Sequence, residues 1–232
     1  MLFYQPTSGY CYNSDSIFLY KFISSFKPKG NLLDIGCGVG IISALIGRNF
    51  DTNTTIIDKQ SIMLDYAKHN FYINSIETDA HLGDFVGYRF NKKFDFIISN
   101  PPFYDSNSVT KSNNTYLNTA RYSHHLPFED LVKSVKKILK PRGWFIFCYD
   151  SKQIDMLMFV LKKENLNPEK VTFVYSKIDK NSKLVMIACR LGSKSLTQIT
   201  APLIVLDKNG DYVESVQEIF KKADTHSIKG DF

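Results

Sequence analysis

The sequence predicts an α/β protein whose mostly parallel, seven-stranded sheet is covered by helices on both faces and closed by a C-terminal antiparallel hairpin. Two patterns predict this fold. Short apolar runs alternate with segments whose apolar residues recur at helical spacing. The last two apolar runs are joined by Asp-Lys-Asn-Ser at 179–182, which are typical hairpin-turn residues. With 232 residues, 44% of them hydrophobic, the chain suits one domain with a substantial core.

The predicted strands are short runs of β-branched and other apolar residues bounded by glycine or polar residues. They lie at 31–35, 54–57, 79–82, 94–99, 144–149, 171–178 and 183–190. The predicted helices lie between them at 41–49, 61–73, 127–139 and 152–164. Pro141 and Gly143 end the third helix, and Asp150 or Ser151 caps the fourth. This alternation of strand and helix predicts parallel pairing over most of the sheet.

The main domain is predicted at 31–192, between two extensions. Residues 1–30 are expected to cover the ligand site. Residues 193–232 are expected to pack on the same domain as a small hairpin and a helix ending near Phe220, followed by about a dozen frayed residues. The polar stretch 104–126 is predicted to be a functional or disordered loop, because other loops of that length are uncommon.

The composition narrows the class of protein. A net charge of +6 and an isoelectric point near 9.0 favour a polyanionic partner such as nucleic acid, although a merely lysine-rich composition gives the same charge. None of the four cysteines has C-x-x-C spacing, so neither a zinc site nor a redox dithiol is predicted. The N-terminus does not resemble a leader peptide, and no apolar run approaches the roughly 20 residues that span a bilayer. We therefore expect a cytoplasmic protein with no membrane contact. A monomer is favoured.

A glycine-rich turn follows the first predicted strand. Its pattern is D-I-G-x-G-x-G from Asp34, with glycines at Gly36, Gly38 and Gly40. Glycine permits positive φ angles and close approach of the backbone to a ligand, and ligands of such sheets bind beyond the carboxyl ends of the strands. The third glycine comes one residue early for a dinucleotide fold, which prefers G-x-G-x-x-G. The turn therefore predicts a ligand site at the carboxyl edge of the sheet.

Acidic residues follow the next two strands. Asp58 falls about 20 residues after the glycine turn, where a carboxylate can accept two hydrogen bonds from ribose hydroxyls. Asp84 follows the third strand. A surface cap at Asp58 and an ordinary turn residue at Asp84 are the alternatives.

The segment Asn100-Pro101-Pro102-Phe103 follows the strongly apolar strand 94–99. Two consecutive prolines fix φ, force the preceding residue out of helix and remove two N–H donors. The Asn100 amide oxygen and the Pro101 carbonyl can then accept both hydrogens of a substrate amino group. Phe103 can stack on the planar group that carries this nitrogen. The alternative is a strand-ending turn, where Asn-Pro is common.

Together these motifs resemble those of class I S-adenosylmethionine (SAM)-dependent methyltransferases, and the N-P-P-F segment resembles that of enzymes that methylate adenine N6, cytosine N4 or glutamine N5. The resemblance implies a Rossmann-like fold with SAM as the cofactor. It implies that Asp34 and the glycines contact SAM, with Asp34 at its methionine end. It also implies that Asp58 binds the ribose, that Asp84 contacts the adenine amino group and that Phe85 packs on the base. Asn100 is then expected to contact both the cofactor and the substrate.

The sequence G-Y-x-Y-N-S-D-S at 9–16, N-P-P-F and the tail at 202–212 together resemble bacterial tRNA adenine-N6 methyltransferases acting on position 37 of a valine tRNA. The resemblance covers nearly the whole chain and implies tRNA as the partner, but 104–126 matches little beyond Ala120-Arg121. Three alternatives are a glutamine-N5 methyltransferase of a release factor, an rRNA adenine or guanine amino methyltransferase, and an inactive SAM-binding subunit. From the short N-terminal extension we expect no helical docking domain of the kind that the release-factor enzymes carry.

Several residues are candidates for RNA or pocket contacts. A basic stripe at helical spacing can contact phosphates, unless it is an ordinary solvated face; it comprises Lys133, Lys136, Lys137 and Lys140. Arg121 lies in the loop behind the catalytic segment, where it can bind the RNA backbone. His124 and His125 lack a third ligand nearby, so no metal is predicted. Tyr10 or Tyr12 is expected to line the cofactor pocket or to pack in the core.

Overall fold

The computed structural model describes residues 1–7, 11–101 and 128–230. The strands in these ranges are β1 Leu2–Gln5, β2 Gly30–Ile35, β3 Thr52–Asp58, β4 Asp79–Leu82, β5 Phe94–Ser99, β6 Leu139–Asp150, β7 Leu166–Tyr175, β8 Leu184–Leu191, β9 Gln198–Ile199, β10 Leu203–Ile204 and β11 His226–Lys229. The α-helices are α1 Ser14–Ser24, α2 Ile41–Asn49, α3 Ser61–Ile73, α4 Phe128–Ile138, α5 Ile154–Lys163 and α6 Glu214–Ala223. A 3₁₀ turn, Ser151–Gln153, precedes α5.

The main sheet has the predicted α/β architecture. Its strand order is β10-β7-β8-β6-β5-β2-β3-β4, with β9 also beside β7. Strands β2 to β6 pair in parallel, whereas β8 is antiparallel to both β6 and β7, which is the predicted closing hairpin. The carboxyl ends of β2 to β6 therefore share one edge of the sheet, which we call the carboxyl edge.

Within the described residues the main sheet has nine strands instead of the seven predicted. The predicted seven correspond to β2 to β8. The other two are β9 and β10, two-residue strands that pair in parallel with the outer side of β7. They cover backbone that would otherwise form an open sheet edge, a feature that natural sheets protect. Strands this short have no periodicity, so the sequence pattern does not predict them.

Side chains of the sheet alternate between two hydrophobic cores. Leu32, Ile56 and Ile98 pack on one face, which α1, α2 and α6 cover. Leu33 and Ile97 pack on the other face, which α4 and α5 cover. Alternation with burial on both faces is expected for parallel strands inside an α/β protein.

The N-terminal segment contains a helix that the sequence analysis did not predict. The Asn13 side chain caps α1 by accepting a hydrogen bond from the Asp15 N–H at 3.1 Å. Apolar residues from Ile17 to Ile23 are buried on nearly all sides of this helix. A helix buried all round lacks the apolar stripe by which surface helices are recognised.

Both ends of the chain meet in a second, two-stranded sheet. Strand β1 pairs in parallel with β11, so His226 to Lys229 are ordered in a strand where frayed residues were predicted. The backbone of β1 is also bound by two side chains of α3. Asn70 bonds the N–H and C=O of Tyr4, at 2.7 and 3.0 Å, and Asn74 does the same for Leu2. The two asparagines thus satisfy backbone N–H and C=O groups of β1 that a third strand would otherwise bond.

Candidate active site

The glycine turn joins β2 to α2 and needs glycine at three positions. Gly36, Gly38 and Gly40 have φ of +66°, +54° and +79°, which is the left-handed region. A Cβ atom on Gly36 or Gly38 would meet no atom within 4 Å, whereas one on Gly40 would lie 3.0 Å from Phe71 and 3.2 Å from Ala67. Gly36 and Gly38 therefore leave space for a ligand, and Gly40 permits close packing of α2 on α3.

Asp34 lies in β2, just before the glycine turn, and is 2% exposed. Its Oδ2 has no hydrogen-bond partner among the described residues. Burial, reinforced by the nearby carboxylate of Asp58, raises the pKa of Asp34 to about 7. An acceptor buried without a partner costs free energy, so its presence points to a donor supplied by a ligand.

Asp58 ends β3 beside the glycine turn and is also buried. Its Oδ2 accepts the N–H of Gly38 at 2.9 Å, and its Oδ1 accepts the N–H of Gln60 at 2.9 Å. Burial raises the pKa of Asp58, while these two hydrogen bonds oppose the rise. Asp58 therefore supports the turn directly, and each of its oxygens keeps a second lone pair for a ligand hydroxyl.

Asp84 and Phe85 follow β4 at the same edge of the sheet. Asp84 is exposed, and its Oδ1 accepts the N–H of Val86 at 3.0 Å, which is an Asx turn. Phe85 is only 5% exposed and packs in the core near Phe90 and Ile57. The structure therefore gives Phe85 a core position, with little ring surface left for a base.

Asn100 and Pro101 directly follow β5. The end of β5 is joined to β2 by a hydrogen bond in which the Ser99 hydroxyl donates to the Ile35 carbonyl at 2.9 Å. The Asn100 amide is held at both ends. Its Nδ2 donates to the Ser16 hydroxyl at 3.4 Å, and its Oδ1 accepts from the Cys148 thiol at 3.0 Å. Of the predicted tetrapeptide, Pro102 and Phe103 lie outside the described residues, as do Arg121 and Tyr10.

A pocket of about 360 Å³, open to solvent, joins these parts. Its walls include Asp34, the glycine-turn residues 36–39, Asn100, and Tyr12 and Ser16 from the N-terminal segment. The structure thus brings Asp34, two of the predicted glycines (Gly36 and Gly38) and the predicted amine-binding Asn100 to one cavity.

Residues 14–153 match the protein family described as "Methyltransferase small domain". The chain belongs to this family. It is therefore a methyltransferase, and the match includes the glycine turn, Asp58 and Asn100.

Relatives of this methyltransferase share its length. A protein of Aliivibrio fischeri is 28% identical over 207 residues, which cover 87% of both chains. A protein of Actinobacillus pleuropneumoniae is 24% identical over 216 residues, which cover 90% of this chain and 88% of the relative. Both relatives carry the name tRNA1(Val) (adenine(37)-N6)-methyltransferase.

Solved structures confirm the predicted fold of the methyltransferase. A predicted O-methyltransferase from Agrobacterium tumefaciens superposes with a TM-score of 0.70 at 13% identity, covering 92% of this chain and 98% of that one. A SAM-dependent methyltransferase from Clostridium acetobutylicum gives a TM-score of 0.57 at 19% identity, covering 78% and 91%. At these identities the likeness shows the fold.

The four lysines of the predicted stripe do not lie on one helix, because α4 ends at Ile138 and Lys140 belongs to β6. Three of them form ion pairs: Lys133 with Glu129 (2.8 Å), Lys136 with Glu164 (3.2 Å) and Lys140 with Asp95 (2.8 Å). Lys137 is exposed, with no ion pair in the described part of the chain. These ion pairs therefore partly neutralise three of the four lysines that were expected to form a positive surface.

The stripe also runs away from the pocket. Phe128, at the start of α4, packs on Phe147 and Tyr149 near the end of β6. Lys140 pairs with Asp95 at the start of β5, whereas Asn100 follows the end of that strand. At about 3.3 Å per residue, the two ends of β5 are about 15–20 Å apart. The last turn of α4 and Lys140 thus lie towards the edge opposite the pocket.

Ser16 and Cys148 contact Asn100, although neither contact was predicted from the sequence. Ser16 lies in the first turn of α1 and Cys148 near the end of β6. One available signal was the N-S-D-S sequence at 13–16, because Asn followed by Ser and Asp is typical of a helix start. Nothing local in the sequence marks Cys148, which looks like an ordinary core thiol.

None of the helices in 1–7, 11–101 and 128–230 is long and apolar enough to cross a membrane. Over the same ranges, no group of three or more His, Cys, Asp or Glu side chains is arranged to hold a metal ion.

Proposed function

We propose that this methyltransferase uses SAM to methylate the exocyclic N6 amino group of adenine 37 in a valine tRNA. The observation that carries the proposal is the placement of Asn100 in the wall of the same pocket as Asp34 and the glycine turn. The names of relatives that align with 87–90% of this chain support the choice of substrate. The proposal implies a cytoplasmic location, because that is where tRNA is modified.

The residues of the pocket and of the adjoining carboxyl edge of the sheet fit SAM. The Asp34 oxygen without a protein partner suits the ammonium group of the methionine end, which is a donor and a cation. Gly36 and Gly38 allow the ligand to approach the backbone, and Asp58 keeps lone pairs for the ribose hydroxyls. Asp84, exposed beyond β4, is proposed to contact the adenine amino group. When bound, SAM supplies an electrophilic methyl group on its sulfonium.

The chain's own part in the reaction is to hold the substrate amine. The Asn100 Oδ1 and the Pro101 carbonyl accept its two hydrogens and so orient the nitrogen lone pair. These acceptors also stabilise the positive charge that develops on the nitrogen. Pro101 and Pro102 keep the segment rigid, and Phe103 is proposed to stack on the base.

The extensions are proposed to complete the site. Tyr12 and Ser16 line the pocket, which supports a covering role for residues 1–30. Tyr10 is proposed to contact SAM. Arg121 is proposed to bind the RNA backbone. A monomer is proposed as the working unit, with 31–192 as its main domain and 193–232 packed on it.

The test is methyl transfer from labelled SAM. The acceptors are a valine tRNA transcript, the same transcript with A37→G, a release factor and an rRNA fragment. We expect label only in the transcript with A37. Label confined to the release factor or to rRNA would overturn the choice of substrate, and label in no acceptor would support an inactive SAM-binding protein.

Asn100→Ala tests the proposed role of the asparagine. We expect turnover to fall by more than about tenfold with SAM affinity retained, because the side chain acts on the amine. Asn53→Ala is the matched control, since Asn53 is exposed near the start of β3. A loss of SAM affinity with unchanged turnover per bound SAM would contradict this role.

A further inference from the structure

The Cys148 thiol is buried next to the catalytic asparagine. In the parallel pair of β5 and β6, Ser99 lies opposite Phe147, so Asn100 and Cys148 follow at the same level. Cys148 is 0% exposed, and its Sγ donates to the Asn100 Oδ1 at 3.0 Å. A buried thiol in hydrogen-bond contact with an amide oxygen is more than a filler of core volume.

The other end of the same amide is bound from a different element. The Asn100 Nδ2 donates to the Ser16 hydroxyl at 3.4 Å, and Ser16 is 3% exposed in the first turn of α1. That turn is fixed by the Asn13 cap. Ser16 and Cys148 therefore hold the amide between α1 and β6.

The thiol decides which way the amide points. A hydroxyl such as that of Ser16 can donate or accept, so it does not distinguish the amide oxygen from the amide nitrogen. A protonated thiol donates, but its sulfur is a weak acceptor. Burial, and to a smaller extent the carboxylate of Asp15, raises the pKa of Cys148 well above its ordinary value, so the thiol stays protonated. The oxygen of Asn100 is therefore the end that faces Cys148.

We propose that Cys148 is a positioning residue that, together with Ser16, holds the Asn100 amide with its oxygen directed for the substrate amino group. The proposal rests on the proposed function, since it assigns the geometry of the same asparagine. A thiol is a weak donor and uses one of the two lone pairs of Oδ1. The oxygen is thereby oriented yet remains able to accept a substrate hydrogen.

Kinetics of Cys148 variants test the proposal. Cys148→Ala removes the donor, and we expect kcat to fall about fivefold while the KM for tRNA and the Kd for SAM stay within about twofold. Cys148→Ser keeps a donor and is expected to restore at least about half of kcat. The matched control is Cys189→Ala, which removes an equally buried thiol from β8, in the other core. An equal kcat for Cys148→Ala and Cys189→Ala, or no rescue by serine, would overturn the proposal.

A double-mutant cycle separates positioning from general loss of packing. If Cys148 acts through Asn100, Cys148→Ala causes no further loss of kcat in an Asn100→Ala background. Additive losses would mean that Cys148 acts independently of the asparagine and would overturn the proposal.

The S–H stretching band of Cys148, assigned by subtracting the infrared spectrum of Cys148→Ser, tests the contact without any turnover. We expect Asn100→Ala to shift this band to higher frequency and Asn53→Ala to leave it in place, because only the first removes the acceptor. An unshifted band in Asn100→Ala would overturn the positioning contact. Absence of tRNA methylation by the wild-type protein would overturn the proposed function instead, and the band would still decide the contact.

Discussion

Asp34 combines deep burial with an oxygen that the described residues leave without a hydrogen bond. Such a carboxyl weakens the folded state when it is ionised, because the charge loses its hydration. This loss of stability does not benefit the fold, but a buried carboxylate with a free oxygen suits a site for a cationic ligand group. Asp34 is therefore best understood as a residue that serves the ligand at the expense of stability.

The raised pKa of Asp34 predicts that SAM binding depends on pH. Below its pKa of about 7 the free carboxyl is mostly protonated, and a ligand ammonium must displace that proton. We expect SAM affinity to rise by up to about tenfold per pH unit from pH 5 to about 7 and then to level off. Calorimetric titration over pH 5–9 measures this profile. In Asp34→Asn the affinity should be low and flat with pH, and a sloping profile in that variant would assign the pH dependence to another group.

Gly38 and Gly40 are expected to differ in what an added methyl group would disturb. Alanine at either position is strained by the positive φ, at about 1 kcal/mol. Gly40→Ala also places a methyl group 3.0 Å from Phe71, so we expect a total loss of about 2–3 kcal/mol in urea unfolding. Gly38→Ala should lose less stability yet weaken SAM binding about tenfold or more, because its Cβ points into open space at the pocket. Equal losses of stability would contradict the division between a packing glycine and a ligand glycine.

Of the helices, the sequence suggests that the basic α4 takes part in function and α1 does not, whereas the structure places α1 at the pocket. The lysines of the predicted stripe look like an RNA surface, but three of the four are ion-paired. The stripe also runs from α4 into β6, towards the edge opposite the pocket. Helix α1 has no comparable charge pattern, yet its first turn supplies Ser16 to the pocket and to Asn100. Because α1 contacts the site, we expect it to serve the reaction more than α4 does.

Single substitutions in the lysine stripe test this view of α4. We expect Lys137→Ala and Lys140→Ala to change tRNA affinity by less than about twofold and to leave its salt dependence unchanged. A lysine that contacts a phosphate contributes about one unit to the slope of log affinity against log salt. Filter binding between 50 and 200 mM salt, conditions in which such slopes are about linear, gives the measurement. A slope reduced by about one unit in either variant would show that the substituted lysine contacts the RNA.

At the scale of the whole molecule, the two chain ends are connected to the active site through α3. Strands β1 and β11 form one small sheet, and Asn70 binds Tyr4 of β1. The same Asn70 Nδ2 donates to the carbonyl of Val39 in the glycine turn at 2.9 Å. A single buried amide thus joins the N-terminal strand, α3 and the cofactor turn.

Asn70 and Asn74 are a matched pair for testing that connection. Both bond one residue of β1, but Asn70 is 0% exposed and also holds Val39, whereas Asn74 is partly exposed. We expect Asn70→Ala to lose about 2–4 kcal/mol of unfolding free energy, because buried backbone groups lose their partners, and to weaken SAM binding. Asn74→Ala should lose about 1 kcal/mol and leave SAM binding unchanged, since water can replace its bonds. Urea unfolding and calorimetry distinguish these outcomes, and equal effects would remove the proposed link to the glycine turn.

The long elements of the main domain were predictable from the sequence. The bounds of α2, α3, β4 and β5 agree with the prediction, since period and flanking residues define them locally. Strand β7 begins five residues before its predicted start at Val171, at Leu166, and carries Pro168 where its pairing with β8 shifts register. Proline discourages a strand prediction, and a bulge is one of the few places where a strand accepts it. Strands β9 and β11 depend on a partner distant in sequence, so local pattern does not reveal them.

The alternating fold, the glycine turn and the Asn-Pro segment after β5 were all predictable from the amino-acid sequence. These features depend on φ preferences and periodicity among neighbouring residues, which the sequence displays directly. The folded structure was needed to show that Ser16 and Cys148 contact Asn100 and that Asp34 keeps an oxygen without a partner in the described residues. It was also needed to show that Lys133 and Lys136 of α4 pair with acids. Those properties arise from contacts between residues far apart in the chain, and from the burial that the fold imposes on them.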